Sequence, residues 1–360
     1  MVPTGGGAYR LAAGARRPRA FRRCALAEEQ TPAGRLSATA KPALVSPLDR
    51  AKHPHHPTSP MTPKFALQTH FASLLRRPRL RQAARTLVRA LRVPIGVRQR
   101  LPVDGAFAFS LLDRPFTYHS ALHDGVGREL FWAPDNDYER ETLSVLVRIL
   151  KSSSSTPTVF DVGANTGVYT MAALAVAPAA CVHAFEPVAH IARALATNVA
   201  SNGLLGQVSI NECAVSDEIG TVALHIPDET WGNATMSAAG FRGLRGHVEH
   251  VQAVTLDTYA VERGIDRIDL LKIDVEGHED AVLRGARCIL AEHRPAVLCE
   301  CLPELDAVAV NRLLTELGYT TYHLQAGGPA LVPHMRADAT GQFKNYLLMP
   351  DERSEQLLLR

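Results

Sequence analysis

Residues 158–174 read TVFDVGANTGVYTMAAL. An apolar run stops at Asp161, the chain turns through Gly163, Ala164, Asn165, Thr166 and Gly167, and a helix-forming stretch follows at once. A buried strand that passes through a glycine turn into a helix presents bare backbone N–H groups at a helix N-terminus, within reach of a polar ligand. The stretch therefore marks a binding site as well as a fold, and its surroundings decide which of each.

Downstream the same rhythm recurs. The strand CVHAFEP (181–187) precedes a helix over 188–202, and VSINECAV (208–215) reads as a third strand. A polar insertion fills 216–255, with TVALHIP and HVQAVTL as its strand pieces. IDLLKID (268–274), a helix over 277–291 and PAVLCEC (295–301) then resume the alternation. A helix over 304–317 and the β segments TTYHLQ and NYLLMP complete it. Strands alternating with helices mean a parallel sheet covered on both faces. Right-handed crossovers make that sheet doubly wound. Upstream, 104–134 reads as short strands forming a hairpin cap. DYERETLSVLVRIL (137–150) is an amphipathic helix with Leu143, Leu146, Val147 and Leu150 on one face.

Ligands of such sheets bind beyond the carboxyl ends of the strands. Four acids fall at that edge: Asp161, Glu186, Asp274 and Glu300. A carboxylate ending a buried strand is costly unless something polar needs it, so four together argue for a site. The dinucleotide version of the glycine turn is G-x-G-x-x-G, whose middle glycine makes room for a pyrophosphate. Here the spacing is D-x-G-x-x-x-G, with Asn165 in place of that glycine. Its side chain crowds a pyrophosphate, and the leading acid suits a cation. S-adenosylmethionine, which carries an ammonium and a sulfonium and no phosphate, meets both conditions. Glu186 fits the acid that takes ribose hydroxyls, a role shared with NAD sites, so NAD-linked chemistry stays as a competing reading.

VFDVGANTGVYT, VHAFEPVAHIARALATNVASNGL, VSINECAVSDEIGTVAL, VTLDTYA and IDLLKIDVEGHEDAVLRGARCILAEHRPAVLCEC resemble, in order and spacing, the FkbM family of S-adenosylmethionine-dependent methyltransferases. KIDVEGHE carries most of that specificity. The resemblance implies a Rossmann-like, seven-stranded class I methyltransferase fold. It further implies O-methylation of a hydroxyl on a sugar, polyketide-like or other small-molecule acceptor. It places Asp161, Gly163, Asn165 and Gly167 on the methionine part of the cofactor and Glu186 on the ribose, with Ala214 beside adenine. The hydroxyl proton needs a positioned base, and LLKIDVEGHED offers Lys272, Asp274, Glu276 and His278 as the catalytic candidates. Lys272 also reads as half of a structural ion pair, and Glu279 as a helix cap. Glu300, with Trp231 and Asn233 of WGNATMS, is assigned to the acceptor, together with Met236 and Ser237. No metal is assigned. A non-catalytic methyltransferase-like protein tethered by its basic arm is the alternative from another class.

The net charge of +3 conceals an asymmetry: residues 1–100 carry 20 Lys and Arg against 3 Asp and Glu, and the remaining 19 basic and 33 acidic residues make 101–360 strongly acidic. Residues 1–60 are expected to be a disordered basic tail, either a targeting segment or unused if Met61 is the start. Residues 61–103 form a basic amphipathic helical arm, 104–155 the cap, 156–350 the methyltransferase domain and 351–360 a tail. The 66–93 part of the arm, with Leu80, Ala84, Leu87 and Leu91 at helical spacing, suits either an anionic membrane surface or packing on the domain. Nucleic acid is not expected, because no aromatics accompany these charges. Six cysteines without a CxxC pair suit a reducing compartment. A cytoplasmic location follows, or organelle import if 1–60 is a transit peptide. No apolar run reaches the roughly 18–20 residues that span a bilayer.

Overall fold

The computed structural model describes residues 77–91, 93, 94, 97, 100–132, 138–228, 234–236, 245–338 and 342–358. The expectations for 1–60, for 61–76 and for Trp231, Asn233 and Ser237 lie outside these residues. Helix α1 (Pro78–Ala90) starts at the proline, whose missing N–H is no loss in a first helical turn. Its apolar positions do not supply all of its docking. Leu80, Leu87 and Leu91 are exposed, while Arg81 and Arg85 are buried. Arg81 donates to the carbonyls of Asp104, at 2.8 Å, and Ala106. The Arg85 guanidinium lies 5.2 Å from the centre of the Phe131 ring.

The hairpin cap is β1 (Gly105–Leu111) and β2 (Arg114–Ser120), closed by Leu112 and Asp113 in left-handed conformation. Residues 125–132 are helical, contrary to the strand expectation. Asp124 caps α2 (Gly125–Trp132) by accepting the Gly127 N–H at 2.8 Å. Leu130, Phe131 and Trp132 of that helix are buried. Helix α3 (Arg140–Ser152) follows with its apolar face inward.

The main domain then runs β3 (Thr158–Val162), α4 (Val168–Val176), β4 (Cys181–Phe185), α5 (Ala189–Ser201) and β5 (Val208–Asn211). The strand expected over 208–215 is split: β6 (Ala214–Val215) leaves the main sheet. It pairs with β8 (Gly246–Val254), which in turn pairs with β7 (Gly220–Pro227), so the insertion is a separate three-stranded sheet. Next come α6 (Leu256–Arg263) and β9 (Leu270–Ile273). The single helix expected over 277–291 is two, α7 (Glu279–Arg284) and α8 (Arg287–Glu292). Two contacts from outside impose the break. The backbone at Gly285 passes so close to the Ser216 carbonyl that an added Cβ would lie 2.1 Å from it. The Asp257 carboxylate caps α8 by accepting the Cys288 and Ile289 N–H groups, both at 2.8 Å. The chain finishes with β10 (Ala296–Glu300), α9 (Ala307–Glu316), β11 (Tyr319–Gln325), β12 (Gly328–Val332), β13 (Asn345–Pro350) and α10 (Asp351–Leu358). That last element is a helix where a tail was expected.

The main sheet has the order β5-β4-β3-β9-β10-β13-β11-β12. Strands β5, β4, β3, β9 and β10 are parallel, and β13 is antiparallel between β10 and β11. This is the doubly wound, mostly parallel arrangement expected, with β12 as an eighth strand on the edge. Alternate residues go to opposite faces. Val159, Leu270, Ala296 and Leu298 join the core under α3 and α4. Phe160, Val162, Leu271, Ile273 and Val297 join the core that contains residues of α6–α9. Both faces are buried, as a parallel sheet requires.

The cap is held to this sheet by asparagines at the end of α5. Asn202 accepts the Thr117 N–H at 2.9 Å and donates to the Thr117 carbonyl at 2.8 Å. Asn198 accepts the His119 N–H at 2.7 Å and donates to the Thr166 carbonyl at 2.9 Å. Two side chains thus satisfy the open edge of β2, which would otherwise expose unpaired backbone groups. Asn202→Ala is expected to lower stability by about 2–3 kcal/mol, from two lost bonds and an unsatisfied edge. Chemical denaturation measures it, and an unchanged midpoint would mean that the cap docks by its aromatic core alone.

Candidate active site

The sheet order changes direction between β3 and β9, and the chain leaves their carboxyl ends toward opposite sides, opening a crevice there. The glycine turn stands at this point. Gly163 and Ala164 donate to the Phe185 carbonyl at 3.0 and 2.9 Å, which ties the turn to the end of β4. Gly163 has φ 72°, and a Cβ there would lie 1.7 Å from the Asp274 carbonyl oxygen. Gly167 has φ 95°, and a Cβ there would meet Leu195 at 2.4 Å. The sequence reading gave both glycines to the ligand. Gly163 does line the cavity and Gly167 is not among its lining residues, and at each the space a side chain would need is taken by the protein itself.

Asn165 adopts φ 50°, a left-handed conformation that asparagine tolerates. Its N–H donates to Glu186 Oε2 at 3.0 Å, and Val188 N–H donates to Glu186 Oε1 at 3.0 Å. One buried carboxylate therefore closes the turn after β3 and starts α5 after β4.

The crevice deepens into a cavity of about 400 Å³, within the range of small-molecule sites. On the β4–β5 side it is lined by Glu186, Ile191, Ala214 and Val215, with Leu224 and Met236 from the insertion. On the β9–β10 side it is lined by Lys272, Asp274, Glu276 and Glu300, with Tyr169 of α4 and with Tyr138 and Glu139 from the segment before α3. Lys344 reaches the same side and stands 3.6 Å from Glu300.

Lys272 explains how so many carboxylates share one space. It pairs with Asp274 at 2.9 Å and lies 4.8 Å from the centre of the Tyr169 ring. Burial alone would lower its ammonium, but Asp274, Asp161 and Glu139 outweigh that and raise it above its ordinary value. It is a permanent cation at neutral pH, hence no proton acceptor. Burial likewise opposes the ionisation of Asp274, and Lys272 overrides it, holding Asp274 below the usual carboxylate range. For Glu276 and Glu300 the Lys344 ammonium, 3.6 Å from Glu300, only partly offsets burial and the neighbouring charge. Burial, then the Asp274 charge, pushes Glu276 to about 8 and Glu300 to about 10. Burial pushes Glu186 to about 7.

The structure brings Lys272, Asp274, Glu276, Glu300, Glu186, Gly163, Asn165 and Ala214 to one cavity. Asp161 sits behind the turn, paired in register with Lys272 and accepting a hydrogen bond from Thr170 at 2.6 Å. His278 is not brought into the cavity. Its Nε2 is 3.0 Å from Ser216 Oγ, and burial lowers its pKa, so we remove it from the catalytic candidates. Glu279 accepts the Val275 and Gly277 N–H groups, both at 3.1 Å, and so shapes the turn after β9. The sequence reading missed Tyr169, within the glycine-turn motif itself, and Glu139, Arg128 and Lys344, which line the cavity from elements with no motif around them.

Residues 161–321 match the family profile described as methyltransferase FkbM domain. That part of the chain is thus similar to an FkbM methyltransferase domain. The chain is 36% identical to the 31-O-demethyl-FK506 methyltransferase FkbM of Streptomyces tacrolimicus, in an alignment covering 35% of this chain and 58% of that protein. It is 28% identical to the 2-O-methyltransferase NoeI of Sinorhizobium fredii, covering 38% and 60%. The chain thus spans about three-fifths of the length of the curated relatives it matches. A crystal structure of methyltransferase FkbM from Methylobacillus flagellatus overlaps 55% of this chain and 44% of its own, at 16% identity and a TM-score of 0.37, too slight a likeness to carry any part of the assignment.

The FkbM cofactor is S-adenosylmethionine, and the residues present fit it. Two buried acceptor atoms without a partner, Asn165 Oδ1 and Glu300 Oε2, belong to residues that line the cavity. Glu186 keeps free lone pairs beside the turn, and the surplus of carboxylates suits a ligand bearing positive charge. Gly163→Ala should destabilise the domain by more than about 2 kcal/mol, since a rigid carbonyl blocks the methyl group and φ is positive. Gly167→Ala should cost less, because it meets only the tip of Leu195. Thermal melts of the two variants test this order, and the reverse order would refute it.

Proposed function

We propose that this chain transfers a methyl group from S-adenosylmethionine to a hydroxyl oxygen of a small-molecule or glycan acceptor. The observation that carries this reading is the joining, in one cavity, of the Glu186-bound glycine turn to a carboxylate, Glu276, that titrates near 8. The family match and the names of the curated relatives support it. When bound, the cofactor supplies a methyl carbon made electrophilic by a positively charged sulfur.

Glu186 would hold the ribose hydroxyls, and Ala214, Ile191 and Met236 would enclose the adenine. Asp274, kept ionised by Lys272, sets a fixed negative charge on the sulfonium side. Glu276 is suited to take the hydroxyl proton of the acceptor, since a base is most effective when its pKa lies near the working pH. Its backbone has φ 56°, and its carbonyl accepts a hydrogen bond from Thr235 Oγ1 at 2.6 Å. That bond ties the insertion to the turn after β9 and helps keep water from the reacting atoms. The same acids argue against a dinucleotide, whose diphosphate they would repel.

Incubation of the purified chain with methyl-labelled S-adenosylmethionine and a panel of hydroxyl acceptors is expected to yield labelled ether. Glu276→Gln should lower kcat by about a hundredfold or more while leaving S-adenosylhomocysteine affinity within about threefold. Equal turnover would move the base elsewhere.

The pH dependence has a definite sign. Burial raises the pKa values of Glu186, Glu276 and Glu300, so they hold protons that a cation beside them displaces. Affinity for the sulfonium therefore rises from about pH 6 to pH 9, and rises less for S-adenosylhomocysteine, whose sulfur is neutral. Calorimetry across that range should show a growing preference for the sulfonium, and a constant ratio would sink the electrostatic argument.

A further inference from the structure

Three cations line the cavity among the described residues: Arg128, Lys272 and Lys344. Lys272 is paired with Asp274 and Lys344 stands by Glu300. Arg128 is different. Among the described residues its side chain makes no hydrogen bond or ion pair, and its Nε is buried without a partner. Asp124, one helical turn earlier, attracts it but is already engaged by Gly127 N–H at 2.8 Å and Tyr118 OH at 2.9 Å. Burial lowers the Arg128 pKa from its ordinary value, the mark of a desolvated guanidinium short of an anion.

Its position narrows the choice of anion. Helix α2 stands against the glycine turn, because Tyr118 OH, bound to Asp124, also lies 2.6 Å from Thr166 Oγ1 in a second hydrogen bond. Gly125 and Val126, in the first turn of α2, line the cavity with Arg128. The N–H end of the helix and the guanidinium thus lie on the same wall beside the turn, a positive spot in a lining otherwise rich in acids. S-adenosylmethionine carries one anionic group, the carboxylate of its methionine part.

We propose that Arg128, with the first turn of α2, anchors the methionine carboxylate of the cofactor. The proposal rests on the reading of this cavity as an S-adenosylmethionine site. It also gives the cap a part in binding, since a segment outside the matched 161–321 region then completes the cofactor pocket.

Binding calorimetry on the full chain tests it with three ligands that cannot react: S-adenosylhomocysteine, its decarboxylated analogue, and 5′-methylthioadenosine. Wild-type protein should bind the decarboxylated analogue at least about tenfold more weakly than S-adenosylhomocysteine, as expected for loss of a hydrogen bond between charged groups. Arg128→Ala should weaken S-adenosylhomocysteine by a similar factor and leave 5′-methylthioadenosine within about twofold, with Arg128→Lys in between. If wild type binds the decarboxylated analogue as tightly as S-adenosylhomocysteine, the anchor does not exist, whether or not the variants fold. Equal weakening of all three ligands by Arg128→Ala would also overturn it, by making the residue structural. Binding of 5′-methylthioadenosine without any preference for S-adenosylhomocysteine overturns the anchor and leaves the adenosine site standing. Failure to bind any of the three removes the cofactor reading itself.

Discussion

A buried ammonium organises this molecule. Lys272 lies in a central strand between Leu271 and Ile273, where an unpaired charge would be prohibitive. Its compensation comes from several directions: Asp161 beside it in register on β3, Asp274 two residues on, Glu139 before α3, and the face of Tyr169 on α4. Three stretches distant in sequence, around 139, 161–169 and 272–274, must therefore meet at one point. The acids that a buried strand end could not otherwise tolerate are those that this cation requires.

The same pair divides the labour among the carboxylates. Asp274 takes the charge of Lys272 and stays ionised, so Glu276 and Glu300 face both burial and a neighbouring negative charge. A cavity with one fixed anion and several protonable acids can neutralise an incoming cation and still keep a group able to accept a proton. These carboxylates acquire different roles because, of the three, only Asp274 pairs with the ammonium.

Two elements outside the βα repeat turn this crevice into an enclosed site. The insertion sheet contributes Leu224 and Met236 over the β4–β5 side and is pinned to the turn after β9 through Thr235. The cap is pinned through Asn198 and Asn202, and Asn198 bonds the glycine turn as well. Cap, turn and α5 are thus mechanically one unit. A shift of the hairpin would be felt where a ligand binds.

Local pattern was enough for the core of the fold. Apolar runs bounded by turn residues, alternating with helical stretches, determined the parallel strands, and the acids that end them marked the functional edge, because both follow from what neighbouring residues demand of the backbone. Glu186, Asp274 and Glu300, which line the cavity, were legible for that reason. Tertiary contact decided the rest. The helix over 277–291 is broken by Ser216 and Asp257, residues far from it in sequence, and α2 forms within what reads as a strand-rich stretch because its apolar side has a cap core to fill. His278 reads as a base until Ser216 is found beside it. Arg128, Glu139 and Lys344 carry no motif, since a charged side chain near a helix end looks the same in sequence whether it faces water or a cavity. Which of the two it faces depends on how elements distant along the chain pack together.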